Sequence, residues 1–207
     1  MEGTLNQSVR LSVLDGLTFF TSLSRAMCGE AGVSDVGSLV WMMVRQMVPC
    51  ETMAVFVHDE VTDTMIPRYA AGAHARAVRH SRHPMTETAI GWTGMTRRAV
   101  VNAQTTIEPD PGAGDAGQHP CWVCTVPLVH NDALTAVLAL YTAQPDRFSE
   151  QHAQILELLT PRLSAAFAAL ETRHNAADPV EGLPARRKSA ADLRIVKGVG
   201  VSATQPA

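Results

Sequence analysis

Two nearly continuous apolar segments, separated by a short polar break, dominate the hydrophobic pattern of the chain. The first runs from Cys121 to Val129, the break occupies 130–132, and the second runs from Ala133 to Tyr141. The break contains Asn and Asp, which tolerate the left-handed backbone of a tight turn. Apolar side chains on both sides of a strand indicate that both of its faces are covered. The pattern therefore predicts an antiparallel hairpin at the centre of a sheet.

Helical periodicity flanks this hairpin on both sides. Apolar residues recur every three or four positions over 9–27, 36–47 and 155–170, which predicts three amphipathic helices. Ser149 can cap the last of them, because its hydroxyl accepts a backbone N–H at the start of the helix. Pro161 lies inside that helix and removes one backbone hydrogen bond, so we expect a kink there.

Two shorter segments predict further strands. Residues 52–57 are apolar on both faces and indicate a buried central strand. Residues 65–72 indicate a second strand. Because Pro67 cannot donate a backbone hydrogen bond to a neighbouring strand, we expect this strand at an edge of the sheet. The segment 103–120 is rich in Gly, Pro and Asp, and a long loop of this kind is usually either a lid or disordered.

Composition and charge narrow the class of protein. The 207 residues are 46% hydrophobic and 18% charged, with a formal net charge of −3, as in an ordinary globular protein. We expect one folded domain over 9–172, a disordered N-terminus over 1–8 and a mostly disordered tail over 173–207. The charge gives no reason to expect nucleic acid or an anionic membrane as a partner. The sequence shows no bilayer-spanning run, signal peptide or disulfide spacing, so we expect a reduced, cytoplasmic setting.

The order of these elements resembles that of the GAF domain family, whose members hold a small ligand beside an antiparallel sheet. The resemblance covers roughly residues 10 to 172. Three segments carry it: Val126-Pro127-Leu128 with its turn and return strand, Ile90-Gly91-Trp92-Thr93-Gly94, and Phe148-Ser149-Glu150 at the start of the last helix.

The resemblance implies an α+β fold. Its antiparallel sheet would have the strand order 2-1-5-4-3, with the N- and C-terminal amphipathic helices on one face and a lidded pocket on the other. A short helix around Gly91 would lead into a brief third strand ending at Asn102, and 103–120 would form the lid. One face of strands 1, 2, 4 and 5, the short helix and the lid would line the pocket. By topology, the candidate pocket residues are Phe56, Tyr69, Ala71, Ile90, Trp92, Asn102, Trp122, Cys124 and Leu138.

Cys121 and Cys124 form a Cys-x-x-Cys pair in the first arm of the hairpin. On an extended strand their side chains point to opposite faces and their Cα atoms lie about 10 Å apart, whereas a disulfide needs less than about 7 Å. We therefore interpret Cys124 as a core residue and Cys121 as a residue at the entrance of the strand, rather than as a redox pair. A zinc site that includes His119 would need a second close pair of ligands, so we assign no metal, and the identity of any cofactor stays open.

A basic cluster lies between the second strand and the short helix. In the GAF resemblance this segment borders the cavity, so it could bind an anionic ligand or a haem. A solvated basic face is the simpler interpretation, and the segment has no Cys-His pair for a covalent tetrapyrrole. The cluster consists of His74, Arg76, Arg79, His80, Arg82 and His83.

The resemblance implies a small-molecule-sensing regulatory module without catalytic residues. Its terminal helices would pair with a second copy, and the homodimer would act itself or through an output protein in trans. GAF domains that reduce free methionine sulfoxide carry cysteines in the short-helix and lid regions. No cysteine lies between Cys50 and Cys121, which argues against that reaction here.

Two alternatives remain. The segment 178–186 resembles the opening of diguanylate cyclase catalytic domains, which often follow a GAF domain. The chain would then be a ligand-free dimerisation or scaffold module left from a truncated fusion, and Trp92 and Trp122 filling the pocket would favour this interpretation. The other alternative is a thiol-based redox enzyme that uses Cys121 and Cys124.

Overall fold

A six-stranded antiparallel sheet forms the centre of the structure, a computed structural model that describes residues 21, 23–25, 31–108 and 119–177. Helices lie on both of its faces. Within the described chain the elements are, in order, α1 (Val33–Met47), β1 (Thr52–Asp59), β2 (Thr64–Gly72), α2 (Ala75–Arg79), β3 (His83–Pro84), α3 (Ala89–Thr96), β4 (Val100–Ile107), β5 (His119–His130), β6 (Ala133–Thr142) and α4 (Glu150–Ala177).

The predicted strand order is confirmed. The five predicted strands correspond to β2, β1, β6, β5 and β4, which are neighbours in this order. One further strand, β3, was not predicted; its two residues pair with Thr64 and Met65 at the start of β2. β3 does not extend to Pro67, so at this residue β2 has no outer neighbour among the described residues. Pro67 is therefore at an edge of the sheet, where its missing N–H breaks no ladder.

The central hairpin forms as predicted. β5 and β6 pair along their length, and Asn131 and Asp132 between them adopt φ angles of 50° and 61°. Among residues with a side chain, Asn and Asp accept this left-handed backbone most readily. β1 pairs with the other side of β6, so the hairpin lies in the interior of the sheet.

Alternation along the strands separates two apolar cores. On one face, Met53 of β1 and Leu138 of β6 pack in the same cluster as the buried side chains of α1 and α4. On the other face, Phe56, Val137 and Ala139 pack against the shorter helices α2 and α3. Successive side chains of a strand point to opposite faces, so continuous apolar strands supply both cores.

The last helix confirms the predicted cap and runs to Ala177, past the predicted domain end at 172. The Ser149 hydroxyl accepts the backbone N–H of His152 at 3.3 Å. Pro161 lacks the N–H that would bond to the Glu157 carbonyl, and the hydroxyl of Thr160 donates to that carbonyl at 2.9 Å. The helix therefore continues through the proline, and the kink stays a prediction.

The third predicted strand is longer than expected. β4 does not end at Asn102 but continues to Ile107, and β5 already begins at His119. Both ends of the predicted lid therefore belong to the sheet, because the β-branched residues before 108 favour an extended strand and pair with β5. The remaining residues of the predicted lid, 109–118, lie outside the described residues.

The predicted disordered segments also lie largely outside the described residues. This holds for 1–8 and for 178–207, which includes the segment that resembles a cyclase opening. Of the first predicted helix, residues 21 and 23–25 are described and are helical. Leu23 is buried in the core on the side of α1 and α4.

A substitution at Gly37 tests how closely α1 packs on β2. A Cβ at Gly37 would lie 2.4 Å from ring atoms of Tyr69. We expect Gly37→Ala to lower the free energy of unfolding by about 1 to 3 kcal/mol, as overpacked cores do, although alanine is the better helix former. Gly94→Ala in α3 is the matched control, because its nearest neighbours lie 3.3 Å away or more, and it should be neutral or stabilising by up to about 1 kcal/mol. Urea denaturation of both variants measures the difference, and equal effects would contradict the packing.

Candidate ligand-binding site

A cavity of about 360 Å³ lies on the sheet face that α2 and α3 cover. One wall comes from 77–83, which includes the end of α2 and β3, and another from Thr88 at the start of α3. The third wall is 105–108 at the end of β4, and Tyr141 of β6 lines the side of the sheet. Small-molecule pockets in proteins start at about 300 Å³, so the cavity is large enough for a small organic molecule.

A second, smaller cavity of about 90 Å³ lies next to the first. Ile107 and Tyr141 line both cavities, so these two side chains stand between them. A water molecule takes about 30 Å³ in the liquid, so the smaller cavity has room for a few waters only. Its remaining lining residues are Glu51, His74, Cys121, Thr142 and Ala143.

Strand alternation and two hydrogen bonds position the walls. Thr105 lies opposite Cys121 in the ladder between β4 and β5, and both it and Ile107 therefore project to the cavity face. The short helix α2 is attached to the sheet because the Arg79 guanidinium donates to the Ala70 carbonyl at 3.0 Å. The backbone N–H of His74, just before α2, donates to the Thr52 hydroxyl at 3.0 Å.

Exposure divides the cavity lining into an inner and an outer part. The inner part consists of Val78, Ile107 and Tyr141, which are at most 5% exposed. It is apolar except for the Tyr141 hydroxyl. The charged groups are confined to the outer part. The exposed lining residues are His80, Arg82, Thr106 and Glu108.

His83 lies between these two parts and is half-buried. Its ring meets the Phe56 ring edge-on, with the centroids 5.0 Å apart. The Ser81 hydroxyl donates to the Val78 carbonyl at 2.8 Å, so His83 Nε2, 3.0 Å from the same hydroxyl, is the donor in that pair. Burial lowers the pKa of His83 to about 4, and the imidazole is therefore neutral at pH 7.

Tyr141 carries a polar group without a partner. Its side chain is 3% exposed, and its hydroxyl has no hydrogen-bond partner among the described residues. Burial raises the pKa of Tyr141 far above neutrality, so the phenol stays protonated and can donate. Buried polar groups without partners are few in native proteins, and a bound molecule or water usually satisfies them. The Tyr141 hydroxyl is thus an unpartnered donor that lies beneath the cavity lining rather than at its open surface.

The structure corrects the predicted pocket lining. Phe56 and Ile90 belong to the core on the cavity face. Tyr69, Cys124 and Leu138 belong to the opposite core, under α1 and α4, and cannot line the same pocket.

The same correction applies to four further candidates. Ala71 lies directly opposite Met53, which faces the terminal helices. Trp122 is two positions from helix-facing Cys124 and therefore projects to the same face. The Trp92 side chain is 41% exposed on the surface of α3. The Asn102 side chain bonds the backbone of Phe148.

Asn102 positions the start of α4. Its amide nitrogen donates to the Phe148 carbonyl at 2.6 Å, and its amide oxygen accepts the Phe148 N–H at 3.1 Å. The residue itself has a φ of 55°, in the left-handed region that Asn tolerates. Both ends of the side-chain amide are thus committed to the chain rather than to the cavity.

The errors in assigning strand residues to a face share a main physical origin. A continuous apolar strand is buried on both faces, so its sequence does not reveal which alternate positions face the helices. Between Val55 and Phe56 of β1 the register also shifts, because Arg68 of β2 is bulged out of the pairing, and Tyr69 therefore lies on the face of Val55. Some of the lining residues that the prediction missed belong to the basic cluster. The concentration of His and Arg just before α3 was the sequence feature that could have indicated the cavity. A solvated face describes His80 and Arg82 but not half-buried His83.

Both hairpin cysteines are core residues: Cys124 as predicted, and also Cys121, which was predicted only to lie at the strand entrance and is 4% exposed. Cys121 belongs to the core on the cavity face and Cys124 to the opposite one, and both, like Cys50, are free thiols. Burial raises the pKa of Cys121 to about 11 and that of Cys50 and Cys124 to about 12. In the described ranges, no group of three or more His, Cys, Asp or Glu residues could hold a metal ion.

Sequence and structure comparisons relate this chain to known proteins. A family model described as GAF domain matches residues 33–168. No curated protein matches the sequence. Among helices within the described residues, none has the length and apolar character needed to cross a membrane.

Solved structures share the fold at low identity. The GAF domain of a phosphoenolpyruvate-protein phosphotransferase from Coxiella burnetii is 16% identical with a TM-score of 0.58, over 81% of this chain and 99% of that chain. Its counterpart from Acinetobacter is 19% identical with a TM-score of 0.54, over 80% and 99%. The free methionine-R-sulfoxide reductase of Neisseria meningitidis, solved with its substrate, is 17% identical with a TM-score of 0.54, over 78% and 95%.

The two tyrosines of the chain allow a matched test of the unpartnered hydroxyl. Tyr141→Phe removes a buried group that has no partner among the described residues, and we expect it to raise the free energy of unfolding by about 1 to 3 kcal/mol. Tyr69→Phe removes a hydroxyl that donates to Ser38 at 3.2 Å, and should lower it by about 0.5 to 1 kcal/mol. Chemical denaturation of the ligand-free protein measures both, and a destabilised Tyr141→Phe would show that the hydroxyl is already bonded.

The low pKa of His83 predicts a pH dependence of stability. Between pH 6.5 and 4 the unfolded state binds a proton at this position and the folded state does not, so stability rises with pH across this window. From pH 7 to 4, the wild type should lose up to about 3 kcal/mol more than His83→Gln. Urea denaturation at several pH values measures the difference between the two proteins, and parallel pH profiles would contradict the buried neutral imidazole.

Proposed function

The chain belongs to the GAF domain family, and on that premise we propose that it is a regulatory module whose small-molecule ligand occupies the cavity between α2 and β4. The observation that carries this proposal is the cavity of about 360 Å³ itself. It has an apolar inner part and polar groups at the rim, which is the usual constitution of a small-molecule site.

β2 offers a route from the cavity to the terminal helices. β3, which contributes His83 to the cavity lining, pairs with one end of β2. Near the bulge of β2, the Arg68 guanidinium donates to Glu171 of α4 at 3.3 Å, and the Tyr69 hydroxyl donates to Ser38 of α1. We propose that an occupant shifts β3 and β2 against the helices, and that this change is the output signal.

We further propose that the module acts without catalysis. The thiolate, not the thiol, is the nucleophilic form of cysteine, and the three described cysteines have raised pKa values. This weakens the alternative of a thiol-based enzyme. The free thiols also support a reducing, cytoplasmic setting.

The second candidate function is a ligand-free dimerisation or scaffold module. It would be favoured if large side chains filled the site. Trp92 and Trp122 are the large candidates, and neither lines the described cavity. The open cavity therefore favours the sensor.

Blocking the cavity tests the proposed site. Thr105→Phe directs a ring into the cavity. Gln104 is the exposed neighbour of Thr105 on the same strand, and Gln104→Phe directs the ring to the other face. After purification from the native host, we expect native mass spectrometry to find a bound small molecule on the wild type and on Gln104→Phe. The bound fraction on Thr105→Phe should fall at least about tenfold, which is the loss expected when a clash costs 1.4 kcal/mol or more. A wild type that carries nothing would favour the scaffold, whereas equal retention by both variants would show that the molecule binds outside this cavity.

We also propose that two copies pair through their terminal helices. Large apolar side chains on these helices support this: Leu158 of α4 is 80% exposed and Met42 of α1 is 52% exposed. Leu158→Glu should raise the dimer dissociation constant about tenfold or more, because truncating or charging a central apolar contact commonly costs over 1 kcal/mol. Val61→Glu, at a 93% exposed position in the β1–β2 turn, is the control. Sedimentation equilibrium measures both, and a monomeric wild type would overturn the proposal.

A further inference from the structure

The short helix α3 has an apolar outer face that points away from the sheet. Its inner face is docked, because Ile90 is buried and the Thr93 hydroxyl meets the Thr125 hydroxyl of β5 at 2.5 Å. On the outer face, Trp92 and Met95 are 41% and 46% exposed. They are three positions apart and are therefore neighbours on the helix surface. A helix that is apolar all round is normally buried, so the outer face of α3 is a surface that a partner would cover.

The support under this face is rigid. A Cβ at Gly91 would lie 2.3 Å from the Pro84 carbonyl oxygen and 2.5 Å from Cα of Met85. The helix therefore lies directly on the backbone of the segment that precedes it. Side chains held on a fixed support lose less conformational freedom on binding, which suits the outer face of α3 to recognition.

Two arginines end the helix, and the first of them has a backbone that favours glycine. Arg97 has a φ of 56° and a ψ of 33°, the left-handed conformation in which glycine usually follows a helix. Residues with a Cβ are strained there, and strain of this kind is found preferentially at functional sites. Arg97 and Arg98 are both exposed, and within the described ranges neither guanidinium forms an ion pair. Their charges are thus available to a partner.

We propose that the outer face and the end of α3 bind a segment of a partner protein that carries carboxylates beside a large apolar side chain. The apolar side chain packs against Trp92 and Met95, and the carboxylates pair with Arg97 and Arg98, whose planar guanidinium groups suit them. Trp, Met and Arg are enriched in protein interfaces, and Trp and Arg in the residues that dominate their affinity.

The position of this surface leaves the terminal helices accessible. α3 lies on the sheet face opposite α1 and α4, so the partner segment does not compete with the proposed pairing of two copies. The two exposed apolar side chains also offer far less area than the roughly 800 Å² per partner of a stable interface between folded proteins. A short segment therefore fits this surface better than a second copy.

An anionic membrane fits the surface less well. Membranes recruit juxtamembrane segments through clusters of about four to eight basic residues, and the end of α3 has Arg97 and Arg98 only. The formal net charge of the chain is −3, which opposes its approach to an anionic surface.

Selection from a library of short random peptides on phage tests the proposal. The full-length wild type is the target, after the library has been depleted on Trp92→Ser/Arg98→Ser. The most enriched peptide is then labelled with fluorescein, and fluorescence anisotropy gives its dissociation constant for the wild type and each variant. α1 provides matched controls, because Met42 and Arg45 are exposed on the other side of the sheet and have the same spacing as Met95 and Arg98.

We expect the enriched peptides to combine Asp or Glu with a large apolar residue. Trp92→Ser and Arg98→Ser should each raise the dissociation constant about tenfold or more, as truncation of a central interface residue does, and Met95→Ser should raise it to a smaller extent. Met42→Ser and Arg45→Ser should leave it unchanged.

Arg97→Gly separates recognition from a structural role. Glycine relieves the left-handed backbone, so the midpoint of urea denaturation should stay the same or rise, while the dissociation constant of the peptide rises about threefold or more, as expected when a charged contact is lost. Unchanged binding together with a lower midpoint would show that Arg97 serves only the end of the helix.

Three other results would overturn the proposal. The first is a selection that enriches no peptide after depletion, and the second is enrichment of peptides without acidic residues. The third is a blue shift of tryptophan emission on vesicles of phosphatidylcholine and phosphatidylserine in equal parts, lost in Trp92→Ser and unaffected by the selected peptide, which would assign the surface to lipid.

Discussion

The structure depends on one constraint: the central strands are apolar on both sides, so both faces of the sheet have to be covered. Layers of unequal size do this. On one side α1 and α4, of 15 and 28 residues, pack closely enough that Gly37 lies against the Tyr69 ring. On the other side the helices α2 and α3 have only 5 and 8 residues. The cavity lies on this thinner side, between α2 and the end of β4.

Two polar side chains on the cavity side of the sheet lie in unfavourable surroundings. On the cavity side the structure encloses a phenol without a partner among the described residues and an imidazole whose pKa is held near 4. Both features cost folding free energy, and proteins tend to retain such costs at functional sites. Neighbouring polar groups, by contrast, are bonded within the wall, as Thr88 is to Gly91 and to Pro84. A buried atom without a partner among the described residues also occurs on the other side, at Nε of Arg68, whose guanidinium bonds Glu171 of α4. Such atoms are therefore not confined to the cavity side.

The sequence was sufficient for the features that depend on local chemistry. The turn at Asn131 and Asp132, the cap at Ser149 and the opposite orientation of the two hairpin cysteines all follow from residue type and strand geometry. The strand order came from the family resemblance. The pocket lining could not be predicted in the same way, because it depends on which alternate residues of a strand face the terminal helices. In a strand buried on both sides, both sets of alternate residues are equally apolar, so the sequence does not distinguish them. Asn102 shows a second limit, since a side chain that bonds Phe148, 46 positions along the chain, has no local signature.

The central claim is that one face of the sheet binds small molecules and the other binds only the protein's own helices. Methyl NMR of protein labelled at Ile, Leu and Val, with ethylbenzene or acetophenone added, tests it most directly. We expect the methyl resonances of Val78 and Ile107 to shift in a saturable way, while those of Leu138 and Leu140, on the side of α1 and α4, stay near their starting positions. Shifts concentrated at Leu138 and Leu140, with Val78 and Ile107 unmoved, would contradict the assignment of the two faces.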